Sequence, residues 1–210
     1  MRTALVLLHR LLRHELRLLH SLVLWLTRRT HGTQGGQAFG YARGQSLTLF
    51  GFAFVCVVET LTMSVLLRDY PTAHWIVLVL DVYTVLFVLG LHAASVVRPH
   101  LLGPDTLRIR RAVHVDLRIP VRHITAVRRE SRITPDGGRP EGELDLPIGS
   151  QTTLTLELAQ PVAHFTFLGR RRDVRLVRFH ADDADTLVRA VRQVVTQART
   201  APSPLPGQPA

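Results

Sequence analysis

Ionisable side chains inside two long apolar stretches are the residues of this chain whose type and position are suited to chemistry. Glu59 lies near the middle of the stretch from residue 46 to 67, and Asp81 lies in the stretch from 75 to 97. About 20 apolar residues suffice for a helix to cross a bilayer, and a carboxyl inside such a helix indicates a functional site by default. In an antiparallel helix pair the depths of Glu59 and Asp81 differ by roughly 5 Å, so the sequence predicts an intramembrane polar pair.

Two roles are open for this pair. Desolvation favours the neutral acid, so we expect Glu59 to be protonated at neutral pH and to form a hydrogen bond that holds the hairpin or an oligomer together. The alternative is proton handling in a subunit of a transporter or proton-linked membrane complex, which requires oligomerisation because two spans cannot enclose a pathway. His92 and Cys56 are the other candidates at membrane depth.

The elements that position these residues are two predicted membrane spans, residues 46–67 and 75–97. The link between them, "RDYPTAH", is so short that the helices must be antiparallel, and Pro71 stops the first helix from continuing. The link has one arginine, whereas the segments on either side of the hairpin have three (Arg28, Arg29, Arg43) and four (Arg98, Arg108, Arg110, Arg111). The positive-inside rule therefore predicts that both termini are cytoplasmic, and we expect the chain to lie in a bacterial plasma (inner) membrane.

The N-terminal segment, residues 1–30, has the pattern of an amphipathic helix that lies in the membrane interface. On a helical wheel, one arc of roughly 140° collects polar residues and the opposite face is apolar. The arc comprises His9, Arg10, Arg13, His14, Arg17, His20 and Ser21. Its arginines are predicted to contact anionic headgroups; an ordinary helix packed on another domain is the alternative. Residues 31–45 are rich in glycine, which predicts a flexible linker.

Residues 103–199 predict a cytoplasmic domain of alternating strands followed by one helix. Stretches such as "TLRIRR", "HVDLRI" and "TTLTLEL" alternate apolar and polar residues, which is typical of half-buried antiparallel strands. Turn signals that separate six or seven such strands are Gly137-Gly138, Ala159-Gln160-Pro161 and Gly169. An apolar stripe then indicates a C-terminal helix capped by Asp182 or Asp183. The proline-rich tail, residues 200–210, is expected to be disordered.

Several stretches carry a resemblance to a known group of proteins. They are the glutamate of "VVE" in the first span, "RPHLLGPDTLRIRR" after the second, "IPVRHITAV", and "LELAQPV…RRRDVRLVRFHADDADTLVRAV". In order and spacing, residues 46–195 resemble uncharacterised two-span bacterial membrane proteins with a cytoplasmic PH-like domain. The resemblance implies a transmembrane hairpin followed by a PH-like β-meander that a C-terminal helix closes, and it implies no activity. The glycine expected after the first strand is replaced by Ala112, which argues against a tight turn with positive φ there.

The predicted fold class is therefore an α+β membrane protein, and its composition favours a binding or scaffold module over an enzyme. The net charge of +10 comes from arginine, and a basic excess beside membrane spans favours anionic lipid over nucleic acid as a partner. No Gly-x-Ser-x-Gly, His-Glu-x-x-His, Cys-x-x-Cys or Walker motif is present, so no enzyme activity, cofactor or metal is predicted. Arg170, Arg171 and Arg172, in a predicted turn between two strands, are a further candidate contact for anionic lipid, or else a solvated loop. A homo-oligomer or a protein partner is the other expected interaction.

Overall fold

The computed structural model describes residues 2–33, 35–133, 140–166 and 170–200, and for residues 2–8 and 10 it describes the backbone alone. The described residues form an α+β fold, as predicted. The helices are α1 (Arg2–Leu26), α2 (Arg43–Leu66), α3 (Pro71–Val97) and α4 (Ala184–Thr200), with a 3₁₀ turn at Val121–His123. The strands are β1 (Gln37–Phe39), β2 (His100–Leu102), β3 (Thr106–Arg111), β4 (Val115–Pro120), β5 (Ile124–Ile133), β6 (Glu143–Leu146), β7 (Gln151–Phe165) and β8 (Arg171–Phe179).

Two compact units are interleaved along the chain. The helical unit comprises Met1–Thr33, Gly40–Pro99 and Arg110–Asp116. The sheet unit comprises Gln34–Phe39, His100–Ile109 and Leu117–Ala210. The chain thus enters the sheet unit, leaves it for the two long helices and returns to it, so neither unit is a continuous piece of sequence.

The helices α2 and α3 are long and apolar enough to cross a membrane. Only 11 % of the most apolar stretch of α2 and 22 % of that of α3 is buried within the chain. The core helix of a soluble protein would be mostly buried, so this exposed apolar surface is consistent with the predicted spans. The buried residues of α2 are Ala53 and Cys56, and such small side chains let membrane helices approach closely. Pro71 is the first residue of α3, where its missing N–H is tolerated.

The helix α1 packs along α3 through a narrow seam. Gly90 on α3 permits the close approach, because a Cβ there would lie 3.4 Å from the Cβ of Leu18, which is buried. Ser21, on the same side of α1, is also fully buried, so its assignment to a solvated polar arc was wrong. A helical wheel shows which residues share a side of the helix, but it does not show which side packs on a neighbour. In α1 the side that packs on α3 includes Ser21, at one edge of the polar arc. The broad apolar face of α1 stays exposed and comprises Leu11, Leu12, Leu16, Leu19, Val23 and Leu26.

The first sheet has the strand order β1-β2-β3-β4. Its first two strands flank the long helices directly: β1 ends at Phe39, β2 begins at His100, and these two residues are antiparallel partners. The prediction of a flexible linker over residues 31–45 was therefore wrong at Gln37–Phe39, because this backbone finds its hydrogen-bonding partner after the hairpin. Gly36 is required by a close contact, since a Cβ there would come within 2.9 Å of the Leu102 carbonyl oxygen.

The second sheet has the strand order β5-β7-β8-β6. Two predicted strands on either side of Ala159-Gln160-Pro161 are one long strand, β7, and the predicted turn there was wrong. Glu157 pairs with Leu176 and Val162 with Val174, so residues 158–161 form a bulge that absorbs the proline without ending the strand. The strand β6 pairs in parallel with β8, which departs from a plain antiparallel meander.

The C-terminal helix α4 packs against β5 and β7. Asp183 caps its first turn, as one of the two predicted candidates, by accepting the N–H of Thr186 at 3.0 Å. The predicted apolar stripe provides the buried residues Leu187, Val188 and Val191. The predicted tail after Thr200 and the turn signals at Gly137-Gly138 and Gly169 lie outside the described residues.

Candidate functional site

The two carboxyls predicted as an intramembrane pair lie on the hairpin in different surroundings. Glu59 is exposed on α2, whereas Asp81 on α3 is half-buried and its Oδ2 is fully buried. Within the described residues, Asp81 Oδ2 has no hydrogen-bond partner, and no hydrogen bond joins the two carboxyls. The carboxyls of Glu59 and Asp81 therefore lack the contact with each other that the sequence predicted, and their similar depth in a membrane stays a prediction.

The hydroxyls near these carboxyls are used by other groups. Thr60 donates to the carbonyl of Cys56, and Thr62 donates to that of Val58, at 2.8 and 2.9 Å. Each threonine hydroxyl therefore donates its proton to a carbonyl of its own helix, as threonines in apolar helices commonly do. The hydroxyl of Tyr83 forms a hydrogen bond with Glu15 of α1. On the helical wheel, Glu15 is the charged residue between positions 9 and 21 that falls outside the polar arc of α1. Its side chain points instead towards Tyr83 on α3.

His92 lies where the three N-terminal helices meet. Its ring is 5.7 Å from that of Trp25 on α1 and 4.8 Å from that of Phe50 on α2. The edge-on geometry towards Trp25 is one that aromatic pairs prefer. His92 therefore packs as an aromatic side chain that joins the helices, and Cys56 is a small buried side chain of α2.

A buried tyrosine connects three segments of the helical unit. Tyr41, just before α2, accepts the backbone N–H of Ala112 on its hydroxyl oxygen at 2.7 Å, and the hydroxyl also forms a hydrogen bond with Ser95. Ala112 has a φ of 45°, so the argument against a positive-φ turn at this position was wrong. Burial raises the pKa of Tyr41 to about 12, against the lowering effect of its hydrogen bonds.

A buried arginine fixes the segment that follows α1. Arg110 is 3 % exposed and donates to the carbonyls of His31 and Gly32 at 3.0 and 3.2 Å. Its guanidinium is also 4.0 Å from Asp116. The backbone N–H of His31 in turn donates to the carbonyl of Val97 at the end of α3. These bonds hold the ends of α1 and α3 together.

The exposed arginines of α1 lie beside a pair of histidines. Arg13 and Arg17 are exposed, while His14 faces His114, with 3.3 Å between their Nε2 atoms. Burial lowers the pKa of the His114 ring, and the nearby charges of His14 and Arg111 lower it further. For Arg10 only the backbone is described.

The three consecutive arginines of the sheet unit start a strand. Arg171 and Arg172 belong to β8 and pair with Phe165 and His164, whereas Arg170 precedes β8. All three are exposed. Arg171 and Arg172 line a cavity of about 540 Å³ whose lining is Pro140, Glu141, Gly142, Glu143, Arg171, Arg172, Asp173 and Val174. The lining has three acidic and two basic side chains, and Arg171 is ion-paired with Asp173 at 3.1 Å, so the arginine charge there is compensated.

A charge cluster fixes β6 against β8. Arg178 lies 2.6 Å from a carboxylate oxygen of Glu143 and 3.1 Å from one of Asp145, and only 13 % of its side chain is exposed. The hydrogen bond from Arg178 to Glu143 is the main reason that the pKa of the guanidinium is raised. The cluster explains why a short strand that is half charged can lie at the edge of the sheet.

The described residues thus offer charged and hydrogen-bonding surfaces. They contain no group of three or more His, Cys, Asp or Glu side chains placed to hold a metal ion. Sequence reasoning missed Tyr41, Arg110 and Arg178, whose partners are far away in the chain and have no local signature. Comparison of the chain with protein-family models, curated proteins and solved structures finds no match.

Proposed function

We propose that this chain is a non-enzymatic, membrane-anchored PH-like module that binds a ligand or a partner protein at the cytoplasmic face of a bacterial inner membrane. The observation that carries the proposal is the antiparallel pairing of β1 with β2. Because Phe39 pairs with His100, the chain leaves and re-enters the first sheet at one place. If α2 and α3 cross the membrane, the start of α2 and the end of α3 then lie on the same side of it. A domain connected in this way is held at the membrane surface by two covalent links.

The PH-like part of the proposal is supported by the architecture of the sheet unit. Two sheets of four strands are followed by one C-terminal helix, which packs on β5 and β7. The seven strands β2–β8 and the final helix follow the hairpin in the order that the resemblance of residues 46–195 implies, whereas β1 precedes the hairpin. The parallel pairing of β6 with β8 is an addition to a plain meander.

Contact with anionic lipid is best supported for α1. Arg13 and Arg17 are exposed on one side of α1, and Leu12 and Leu16 are 55 % and 64 % exposed on another. A helix with these two surfaces places leucines among acyl chains and arginines among headgroups, and each arginine near an anionic surface contributes about 1 kcal/mol. The arginines at 170–172 are a weaker candidate, because carboxylates surround two of them.

The transporter alternative has less support. A proton relay through Glu59 and Asp81 requires the two carboxyls to exchange a proton directly or through a bridging group. Glu59 is exposed at the surface of α2, while the Oδ2 atom of Asp81 is buried. The neighbouring hydroxyls of Thr60 and Thr62 donate to their own helix.

The first test is membrane integration and orientation of the full chain. In a Cys56→Ala background, single cysteines at Asp69 and Thr196 are labelled in intact cells with a membrane-impermeant thiol reagent. We expect the membrane fraction to resist alkaline extraction, Asp69→Cys to react from outside, and Thr196→Cys to react only after lysis. Release at alkaline pH would contradict membrane anchoring, and labelling of Thr196→Cys in intact cells would contradict the orientation.

The second test concerns lipid. The full chain is placed in nanodiscs of neutral lipid or of neutral and anionic lipid, and its thermal midpoint is measured at low and high salt. We expect anionic lipid to raise the midpoint at low salt only, because salt screens exposed charges. Arg13→Gln with Arg17→Gln should remove this gain, whereas glutamine at Arg170, Arg171 and Arg172 should preserve most of it. Equal midpoints in both lipids would contradict an anionic ligand.

A further inference from the structure

One side of α2 carries an exposed stripe with a regular spacing. Its residues are separated alternately by four and three positions, which aligns them along one side of a helix. We call this stripe the Glu59 face, and it consists of Thr48, Phe52, Val55, Glu59, Thr62 and Leu66. All six are exposed. The stripe is distinct from the side of α2 that packs on α3, where Ala53 and Cys56 are buried.

The chemistry of the Glu59 face requires a partner. A carboxyl in hydrocarbon without a hydrogen bond is costly, and intramembrane carboxyls are almost always turned towards a protein interior or a polar partner. Within the described part of the chain, no hydrogen bond or ion pair is found for the exposed carboxyl of Glu59. The oxygen of Thr62, one turn further along, can still accept a hydrogen bond although its proton is donated to Val58. Lipid alone therefore leaves this face unsatisfied.

The symmetry of membrane insertion determines which group a second copy would present. All copies of one chain insert with the same orientation, so a two-fold axis between two copies must run along the membrane normal. Each residue near that axis then meets the same residue of the partner at the same depth, as in any isologous interface. Glu59 would meet Glu59, and a protonated carboxyl both donates and accepts, so two such groups satisfy each other.

The spacing of the face fits the same occupant. Thr48, Val55 and Thr62 recur every seven residues, and so do Phe52, Glu59 and Leu66, which is the repeat of two helices that pack in a left-handed pair. We propose that the Glu59 face is a homodimer interface, in which α2 of two copies packs about a membrane-normal two-fold axis and the two Glu59 carboxyls hydrogen-bond to each other. This inference rests on the proposed function only in its requirement that α2 and α3 cross the membrane.

Cysteine crosslinking in native membranes tests the interface. In a Cys56→Ala background, Val55→Cys and Thr62→Cys place thiols on the Glu59 face, whereas Phe54→Cys and Val65→Cys place them on another exposed side of the same helix. We expect disulfide dimers on oxidation for the first two variants and at least fivefold less for the controls. Equal crosslinking at all four positions, or stronger crosslinking in the controls, would overturn the interface. Heterologous adducts in place of dimers would also overturn it, because they indicate a different protein on this face.

Substitution of Glu59 tests the carboxyl pair. Dimer dissociation of the full chain is measured by energy transfer on dilution in liposomes. Loss of the paired hydrogen bonds in Glu59→Leu should raise the dissociation constant about tenfold. Glu59→Gln keeps a donor and an acceptor and should remain within about threefold of wild type. A leucine variant that dimerises as tightly as wild type would refute the carboxyl pairing.

The two proposals fail separately in these experiments. Alkaline extraction of the same membranes reports anchoring for every variant. Protein that is released by alkali contradicts the proposed membrane anchor, whereas protein that stays anchored and yields no Glu59-face dimers contradicts the interface alone.

Discussion

Replacing Tyr41 with phenylalanine removes one oxygen atom from the centre of the helical unit. That oxygen accepts the backbone N–H of Ala112 at 2.7 Å. Tyr41 is 1 % exposed and Ala112 is 9 % exposed, so water has little access to the orphaned N–H. A buried donor without an acceptor costs about 1–3 kcal/mol, and we take about 2 kcal/mol as the expected loss in the free energy of unfolding. For a chain of this length, that loss corresponds to a thermal midpoint lowered by roughly 4–8 °C.

The assay is thermal unfolding of the purified full chain in detergent, followed by tryptophan fluorescence. Trp25 contacts Phe50 and His92, so its emission reports packing of the same unit. The matched control is Tyr70→Phe, because the Tyr70 side chain is 66 % exposed between α2 and α3 and its loss should change the midpoint by less than about 1 °C. Equal midpoints for the two variants would refute the role assigned to the Tyr41 hydroxyl.

The same hydroxyl predicts an alkaline transition. An unfolded tyrosine has a pKa of 10.0, whereas burial raises the pKa of Tyr41 to about 12. The fold therefore favours the neutral phenol, and this stabilisation is complete below pH 10.0 and is lost as pH rises through about 12. The difference amounts to roughly 3 kcal/mol. Wild type should thus lose stability more steeply than Tyr41→Phe over this pH range, and parallel curves would contradict the burial argument.

Two further substitutions test packing and charge. Gly90→Leu drives a side chain into α1 and should lower the free energy of unfolding by about 1–3 kcal/mol and shift the tryptophan emission. The control is Gly51→Leu, where a Cβ has open space in the chain, and it should leave the emission unchanged. The same emission shift in both variants would contradict the packing of α1 on α3 at Gly90. Arg178→Met leaves the carboxylates of Glu143 and Asp145 half-buried and unpaired. The free energy of unfolding, measured by chemical denaturation, should fall by about 3 kcal/mol. A loss below about 1 kcal/mol would mean that the cluster behaves as an exposed ion pair.

Periodic patterns made much of this fold predictable from the sequence. The alternation of "TLRIRR" predicted β3 at its observed bounds, and the apolar stripe with Asp183 before it predicted α4 and its cap. The long apolar runs predicted α2 and α3. These signals are local, because each depends only on residues of the same continuous stretch of sequence.

The parts that escaped prediction depend on distant partners. The segment Gln37–Phe39 has three residues and no periodicity, and it is a strand only because β2 lies beside it. Proline at 161 indicates a turn locally, yet the pairing of β7 with β8 on both sides of the bulge carries the strand through it. Ala112 adopts a positive φ, and its backbone N–H donates to the hydroxyl of Tyr41, 71 residues earlier in the chain. The sequence predicts similar depths for the carboxyls of the candidate site, but helical rotation, which depends on packing, determines what each one faces.

The pairing of β1 with β2 also has a consequence for the order of events during synthesis. The ribosome completes β1 before α2 and α3 exist, and the partner of Gln37, Leu102, emerges only after both helices have been made. The first sheet therefore cannot close before the chain between its first two strands has been made, and contacts of such long sequence separation form slowly. A nascent chain whose hairpin fails to insert would present β1 and β2 as two unpaired edges, which proteases and chaperones recognise. Completion of the first sheet therefore comes late in synthesis and depends on the two long helices that the chain makes between its first two strands.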